Sequence, residues 1–287
     1  MQWRGRRTSA NVDDRRSQGG GMMTGRGCTV GGGATMIIIA LVYLLMGGNP
    51  LQLIGLLGGD AIVDSGITQN HTPSAEENEM AEFASVVLAD TEDVWTKIFS
   101  DMGATYRKPT LVLFSRYTTS ACGTAQSSTG PFYCPADEKI YLDLSFFDQM
   151  ANQLNADGDF AYAYVIAHEV GHHVQKLLGT LDKANALMAR GSQVEANRIS
   201  VSLELQADFY AGVWANHTQQ MFGTLDSGDI EEALNAASAI GDDRLQEEAQ
   251  GYSVPDSFTH GTSEQRYNWF YKGYLTGDIR QGDTYSL

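Results

Sequence analysis

The stretch His168–His172 carries the residue types of a zinc hydrolase site, in the pattern H-E-x-x-H. On a helix, residues four apart share a face about 6 Å apart along the axis, because each residue rises ~1.5 Å. Two imidazoles so placed, from His168 and His172, suit one Zn²⁺ ion with nitrogen ligands at about 2.0–2.1 Å. Glu169 lies one step round the helix, where it can deprotonate a metal-bound water. The pattern therefore predicts a zinc peptidase.

The residues around this motif predict the helix that the chemistry requires, from about Phe160 to Leu178. An apolar stripe recurs at helical spacing and should pack into the core: Ala163, Ala167, Val170, Val174 and Leu177. The two histidines fall on roughly the opposite face. The alternative interpretation is an ordinary helix with two incidental histidines facing solvent.

A catalytic zinc ion needs a third protein ligand and an open position for water. Glu204 is the candidate, on a second predicted helix from about Gln193 to His217. Asp208 lies four residues further on the same face, where it can accept the N–H of a ligating histidine. Glu195 is the alternative ligand. A solvated carboxylate pair on a helix is the alternative interpretation of Glu204 and Asp208.

The remaining elements must position these side chains. The pattern predicts a few strands followed mostly by helices, which indicates an α+β domain that is mainly helical and has a small antiparallel sheet. The metal site lies between two helices. The other predicted helices and strands are Ser74–Met102, Thr110–Tyr117, Lys139–Leu144, Ser145–Leu154, Ile230–Gln250 and Glu264–Leu275.

Charge is distributed unevenly over the 287 residues, whose net charge is −16. Residues 1–26 carry six arginines and two aspartates, a net of +4, so the remainder carries −20. An acidic domain of this kind lacks the basic footprint of a nucleic-acid-binding protein. We expect residues 1–26 to be a disordered cytoplasmic tail, 60–75 a linker, and 76–287 the peptidase domain.

Residues 27–59 contain no charged side chain and include the run ATMIIIALVYLLM. This stretch is long enough to cross a bilayer core of ~30 Å. The arginines all precede it, which predicts a single-pass anchor in a bacterial cell membrane, with a cytoplasmic N-terminus and an extracytoplasmic catalytic domain. The alternatives are a cleaved signal peptide, for which no convincing cleavage site is present, and a buried core helix.

Two of the three cysteines, Cys122 and Cys134, lie twelve residues apart around a Gly/Ser/Thr/Pro loop. In an oxidising compartment this spacing predicts a disulfide, and two buried thiols are the alternative. Cys28, at the edge of the apolar stretch, is expected to be an unpaired thiol.

Three segments carry a resemblance to a known family: HEVGHHVQ, LELQADFYAGVW and FYCPADEKIYLDLSFF. They resemble the bacterial neutral zinc metallopeptidase family of membrane-anchored peptidases. The E-x-x-A-D pattern and the run Thr259–Arg266 are similar to the wider gluzincin class, although Gly261 stands where proline is common there. The resemblance implies a zincin-like domain with one zinc ion, held by His168, His172 and Glu204.

The resemblance also implies roles for further residues. Glu169 would act as the base, and His260 would lie near the cleft and stabilise an oxyanion, although it could equally be a loop histidine. Arg266 would hold the carboxylate of Asp208 or Glu204, or cap a helix. Peptidases of this shape bind an extended peptide at a strand edge, for which strand 139–144 is the candidate.

Two other functions fit the same residues. One is a non-catalytic, zinc-stabilised envelope adaptor or chaperone; Glu169 argues against it, because a structural zinc site has no use for that carboxylate. The other is a metal amidohydrolase acting on a non-peptide substrate such as a cell-wall amide. Its site chemistry is the same, so only a substrate screen separates it from a peptidase with a peptide or protein substrate.

Overall fold

A mixed sheet and a set of α-helices form the part of the chain, residues 1–17 and 72–285, that the computed structural model describes. The predicted α+β class is confirmed, and helices predominate. The helices are α1 Ala75–Asp101, α2 Ser145–Gln153, α3 Asp159–Leu177, α4 Thr180–Met188, α5 Gln193–Phe222, α6 Asp229–Ala239, α7 Asp242–Gln250 and α8 Ser263–Thr276. The strands are β1 Val12–Asp14, β2 Thr110–Phe114, β3 Tyr117–Ser120, β4 Gly123–Gln126, β5 Phe132–Cys134 and β6 Lys139–Asp143.

The main sheet has the strand order β1-β2-β6-β5. The pairs β1–β2 and β2–β6 are parallel and only β5–β6 is antiparallel, so the main sheet is mixed and not antiparallel as predicted. The strands β3 and β4 form a separate two-stranded antiparallel sheet. Parallel pairing needs a long crossover, which the β3–β4 hairpin and β5 supply between β2 and β6. Because β6 pairs on both sides, it has no free edge for a substrate. The edge strands of this sheet are β1 and β5 instead.

Residues 1–17 pack onto the domain, so the prediction of a disordered tail is wrong for this segment. Trp3 is only 4% exposed and contacts the ring of Phe83 on α1 edge to face. Arg6 forms an ion pair with the buried Asp90, also on α1. Arginines that suggested a solvated tail therefore pair with acidic groups of the first helix, and β1 extends the sheet.

The predicted localisation as a single-pass membrane protein is also contradicted. Across residues 1–17 and 72–285, none of the helices has the length and apolar character needed to cross a membrane. The predicted anchor itself, residues 27–59, and Cys28 lie outside the described residues.

Two helical boundaries differ from the sequence prediction. Residues 180–188, for which the sequence predicted no helix or strand, form α4, because Leu181 and Ala184 bury one side of it. The predicted helix 230–250 is interrupted between α6 and α7. At the break, a Cβ atom on Gly241 would lie 2.3 Å from the backbone nitrogen of Ser263. The close approach of α8 therefore requires a glycine there.

Glycines also allow the metal-bearing helices to approach each other closely. A Cβ atom on Gly171 of α3 would lie 2.9 Å from the carbonyl oxygen of Ala207 on α5. Where α5 crosses α8, a Cβ atom on Gly212 would lie 2.0 Å from the carbonyl oxygen of Phe270. At these positions the backbone of α5 therefore lies in close contact with the backbones of α3 and α8.

The predicted disulfide between Cys122 and Cys134 is present. Cys134 is fully buried at the end of β5, and Cys122 lies in the turn between β3 and β4. The bond therefore links the β3–β4 hairpin to β5, an edge strand of the main sheet.

Candidate metal centre

His168, His172 and Glu204 converge between α3 and α5. The Nε2 atom of His168 lies 3.2 Å from Oε2 of Glu204, and Nε2 of His172 lies 3.5 Å from Oε1 of Glu204. Tetrahedral ligands at 2.0–2.1 Å from a zinc ion stand about 3.4 Å from one another. The donor types and spacings therefore fit one Zn²⁺ ion. These three residues would fill three of its four coordination positions and leave the fourth for water.

The surroundings of these residues contradict the alternative interpretations, in which the side chains face solvent or Glu195 is the ligand. His168 and Glu204 are buried, not solvent-facing, because α3 is covered by α5, α6 and α1. Glu195, the alternative ligand, caps the exposed start of α5, where its carboxylate accepts the backbone N–H of Ser192. His173 is directed away from the ligands; its ring contacts the hydroxyl of Tyr133.

Asp208 lies behind His168 and joins it to α8. One carboxylate oxygen accepts from Nδ1 of His168 at 2.8 Å and from the hydroxyl of Tyr164. Arg266 donates to both oxygens, from Nε at 2.8 Å and Nη2 at 2.9 Å. Both Asp208 and Arg266 are almost completely buried. Of the two sequence hypotheses for Arg266, the geometry matches the one in which it holds the Asp208 carboxylate.

The electrostatics of this cluster favour a bound cation. Burial lowers the pKa of His168, but the carboxylates of Asp208 and Glu204 outweigh burial and raise this pKa to about 10. Burial raises the pKa of Glu204, yet the imidazoles of His172 and His168 outweigh it, so the pKa falls below its ordinary value. Two buried carboxylates thus stay charged around the imidazoles, and their negative potential suits a metal dication.

Glu169 has the environment of a proton acceptor. It is buried beside His168, at the cavity wall. Burial raises the pKa of its carboxyl group, and this effect outweighs the opposing influence of His172 and His168. A raised pKa moves a carboxylate towards the operating pH of a general base.

His260 reaches the same cavity from the loop before α8. Its Nδ1 lies 3.0 Å from Oδ1 of the fully buried Asp242, the first residue of α7. The other oxygen of Asp242 accepts the backbone N–H groups of Thr259, His260 and Gly261. Burial lowers the pKa of His260, but the bond to Asp242 and the charge of Glu204 raise it overall. The raised pKa favours the doubly protonated ring, in which Nδ1 donates to Asp242 and Nε2 carries a second N–H group.

Among the residues that contact the site, the sequence analysis assigned no role to Tyr164, Asp242 or Gln175. Asp242 has no fixed spacing to His260, and only the start of a helix at Gly241-Asp242 marks it. Gln175 accepts a hydrogen bond from Nδ1 of His172 at 2.9 Å. Its position three residues after His172, on the same helix face, was the available signal.

A cavity of about 460 Å³ contains the site and is bordered by β5. Its walls are largely apolar and come from β5, from α2 and the residue after it, and from α3, α4 and α5; they include Phe132, Phe146, Leu154, Val165, Leu181, Met188 and Leu203. The cavity can therefore accept more than one large side chain next to the ligand cluster.

Comparison with known proteins identifies relatives along the whole chain. The family described as "Putative neutral zinc metallopeptidase" matches residues 1–285. "Uncharacterized protein YpfJ" of Escherichia coli strain K12 is 53% identical over 286 residues, covering 99% of each chain. "Uncharacterized protein Rv2575" of Mycobacterium tuberculosis strain H37Rv is 41% identical over 223 residues, covering 74% of this chain and 73% of the relative. No solved structure matches the chain.

Proposed function

Because the chain belongs to the neutral zinc metallopeptidase family, we propose that it hydrolyses peptide bonds with one zinc ion held by His168, His172 and Glu204. The observation that carries this proposal is the convergence of these donors at ligand spacing, with Glu169 beside them. Zinc, when bound, supplies Lewis-acid chemistry that acidifies water and polarises a carbonyl group.

The protein's own groups handle the protons. Glu169 takes a proton from the attacking water and delivers it to the leaving amine, and its raised pKa suits both steps. His260 in its doubly protonated form donates from Nδ1 to Asp242 and directs its Nε2–H group at the oxygen that becomes negative in the transition state. Asp208 keeps Nδ1 of His168 protonated, which leaves Nε2 of that ring for the metal.

The surroundings of the site support a peptide as the substrate. β5 has a free edge beside the cavity, and an extended peptide can pair with such an edge through backbone hydrogen bonds. The apolar walls favour large apolar side chains near the scissile bond, including contacts with Phe132 and Leu203.

A Glu169→Gln variant tests this proposal. The purified full chain would be incubated with a proteome-derived peptide mixture and zinc, and the products identified by mass spectrometry. We expect cleavage to fall by about 10²–10⁴-fold, the contribution of a general base, while zinc content stays the same. Glu195→Gln is the matched control, since Glu195 lies on the surface and a glutamine preserves its capping contact. Equal cleavage by the Glu169 variant and wild type would refute the proposal.

A further inference from the structure

A chain of hydrogen bonds, which are buried beyond the first, connects His172 to the C-terminal segment. Nδ1 of His172 lies 2.9 Å from Oε1 of Gln175. Nε2 of Gln175 donates to the carbonyl oxygen of Leu203 at 2.7 Å and to Oε1 of Gln206 at 3.2 Å. Nε2 of Gln206 donates to the carbonyl oxygen of Gly282 at 2.6 Å. The chain thus links both metal-bearing helices to residues after α8.

The two backbone carbonyls fix the direction of every bond in this chain, because a carbonyl oxygen only accepts. Gly282 obliges Gln206 to present its NH₂ group there, so the amide oxygen of Gln206 faces Gln175. Leu203 and Gln206 then both require the NH₂ group of Gln175. The amide oxygen of Gln175 therefore faces His172 and needs a proton on Nδ1.

We propose that Gln175 and Gln206 are positioning residues, which keep Nδ1 of His172 protonated so that its Nε2 lone pair is free for zinc. This inference rests on the proposed function, because it assumes zinc at Nε2. His168 receives the same orientation from the carboxylate of Asp208. The two ligating histidines are thus oriented by different chemistry: a charged group behind one and a neutral amide chain behind the other.

The C-terminal segment is held firmly enough to act as the end of this chain. A Cβ atom on Gly282 would lie 2.6 Å from the ring of Phe209, so the backbone lies directly against α5. Thr284 is fully buried and donates its hydroxyl to the carbonyl oxygen of Ser202 at 2.6 Å. The carbonyl of Gly282 is therefore fixed beside the helix that carries Glu204.

The protonation of Nδ1 can be observed directly in the full chain. Two-bond ¹H–¹⁵N correlation spectra of the zinc-free and zinc-loaded protein report which nitrogen of His172 carries hydrogen. We expect a slowly exchanging proton on Nδ1 in both states of the wild type, and its protection to be lost in Gln175→Leu. Zinc affinity, measured by competition with a chromophoric chelator, should fall about 10–100-fold in that variant.

Gln206→Leu should weaken the protection of the Nδ1 proton and the zinc affinity less than Gln175→Leu does, because the carbonyl oxygen of Leu203 still orients Gln175. Gln193→Leu is the control: it makes the same substitution at an exposed site of α5 and should leave both readouts unchanged. An unprotonated Nδ1 in wild-type His172, or wild-type zinc affinity in Gln175→Leu, would overturn the inference. If the wild type bound no zinc, the proposed function would fail, while its spectrum would still decide how Gln175 orients the ring. That spectrum requires no variant to fold.

Discussion

Replacing Asp208 with asparagine should damage both stability and zinc binding, for separable reasons. Asp208 is fully buried and is the ion-pair partner of Arg266, which is itself 2% exposed. An asparagine presents an NH₂ group to either His168 or Arg266, both of which only donate there. Breaking a buried ion pair by removing one charge costs about 3–5 kcal/mol of unfolding free energy.

The loss is large enough for ordinary denaturation experiments. At roughly 2–4 °C per kcal/mol for a domain of this size, the melting temperature of the zinc-free protein should fall by about 6–20 °C. Zinc affinity should fall about 10–100-fold, because His168 loses the acceptor of its Nδ1 proton. Circular dichroism during thermal and urea unfolding measures the first effect, and chelator competition measures the second.

A double variant separates the two causes. In Asp208→Leu/Arg266→Met both charges are gone, and replacing a buried pair by apolar residues is often neutral or stabilising. Much of the lost stability should return, apart from the cost of leaving the Tyr164 hydroxyl and Nδ1 of His168 without their acceptor, while zinc affinity stays low. If Asp208→Asn lost less than about 1 kcal/mol, or if the double variant recovered tight zinc binding, the roles assigned to this pair would be wrong.

Three further predictions follow from other contacts. His260→Asn should lower kcat/KM for peptide cleavage by about 10²–10³-fold. Because the pKa of His260 is raised, its pairing with Asp242 stabilises the fold fully below the ordinary pKa of about 6.5, and this stabilisation is lost as pH rises through the raised pKa. The melting temperatures of the variant and the wild type should therefore converge as pH rises through that range. Trp3→Ala should cost about 3–5 kcal/mol in urea unfolding without changing zinc affinity, and an unchanged midpoint would contradict the packing of the N-terminal segment. Replacing Cys122 and Cys134 together by serine should lower the free energy of unfolding by roughly 3 kcal/mol in the same assay. A wild-type protein that is equally stable under reducing and oxidising conditions would count against the disulfide.

The parts of the site that follow from local periodicity could be predicted from the sequence. The histidines of H-E-x-x-H share a face because they are four residues apart on one helix, and Glu204 and Asp208 share a face for the same reason. The catalytic roles of these residues remain proposals, since only their geometry is observed. The sequence shows a glycine at position 171, but only the structure shows that the backbone of Ala207 on α5 leaves no room for a side chain there.

What could not be predicted depends on contacts between distant segments. Composition alone predicts a solvated N-terminal segment, whereas the ion-pair partners of Arg6 and Arg7 lie on α1, more than eighty residues later. Strand direction in the main sheet depends on which segments cross over, and periodicity contains no information about that. Asp242 reaches His260 only because a glycine ends α6 where α8 passes close by.

Three glutamates on the helices of this chain show how environment separates chemical roles. Glu195 is exposed and accepts hydrogen bonds from Ser192, which lower its pKa and make it a helix cap. Glu204 is buried, but the adjacent imidazoles keep its pKa low, so it stays a charged ligand. At Glu169 burial outweighs the same imidazoles and the pKa rises, which favours proton transfer. The sequence therefore identifies the candidate carboxylates, while the balance of burial against neighbouring charge distinguishes cap, ligand and base.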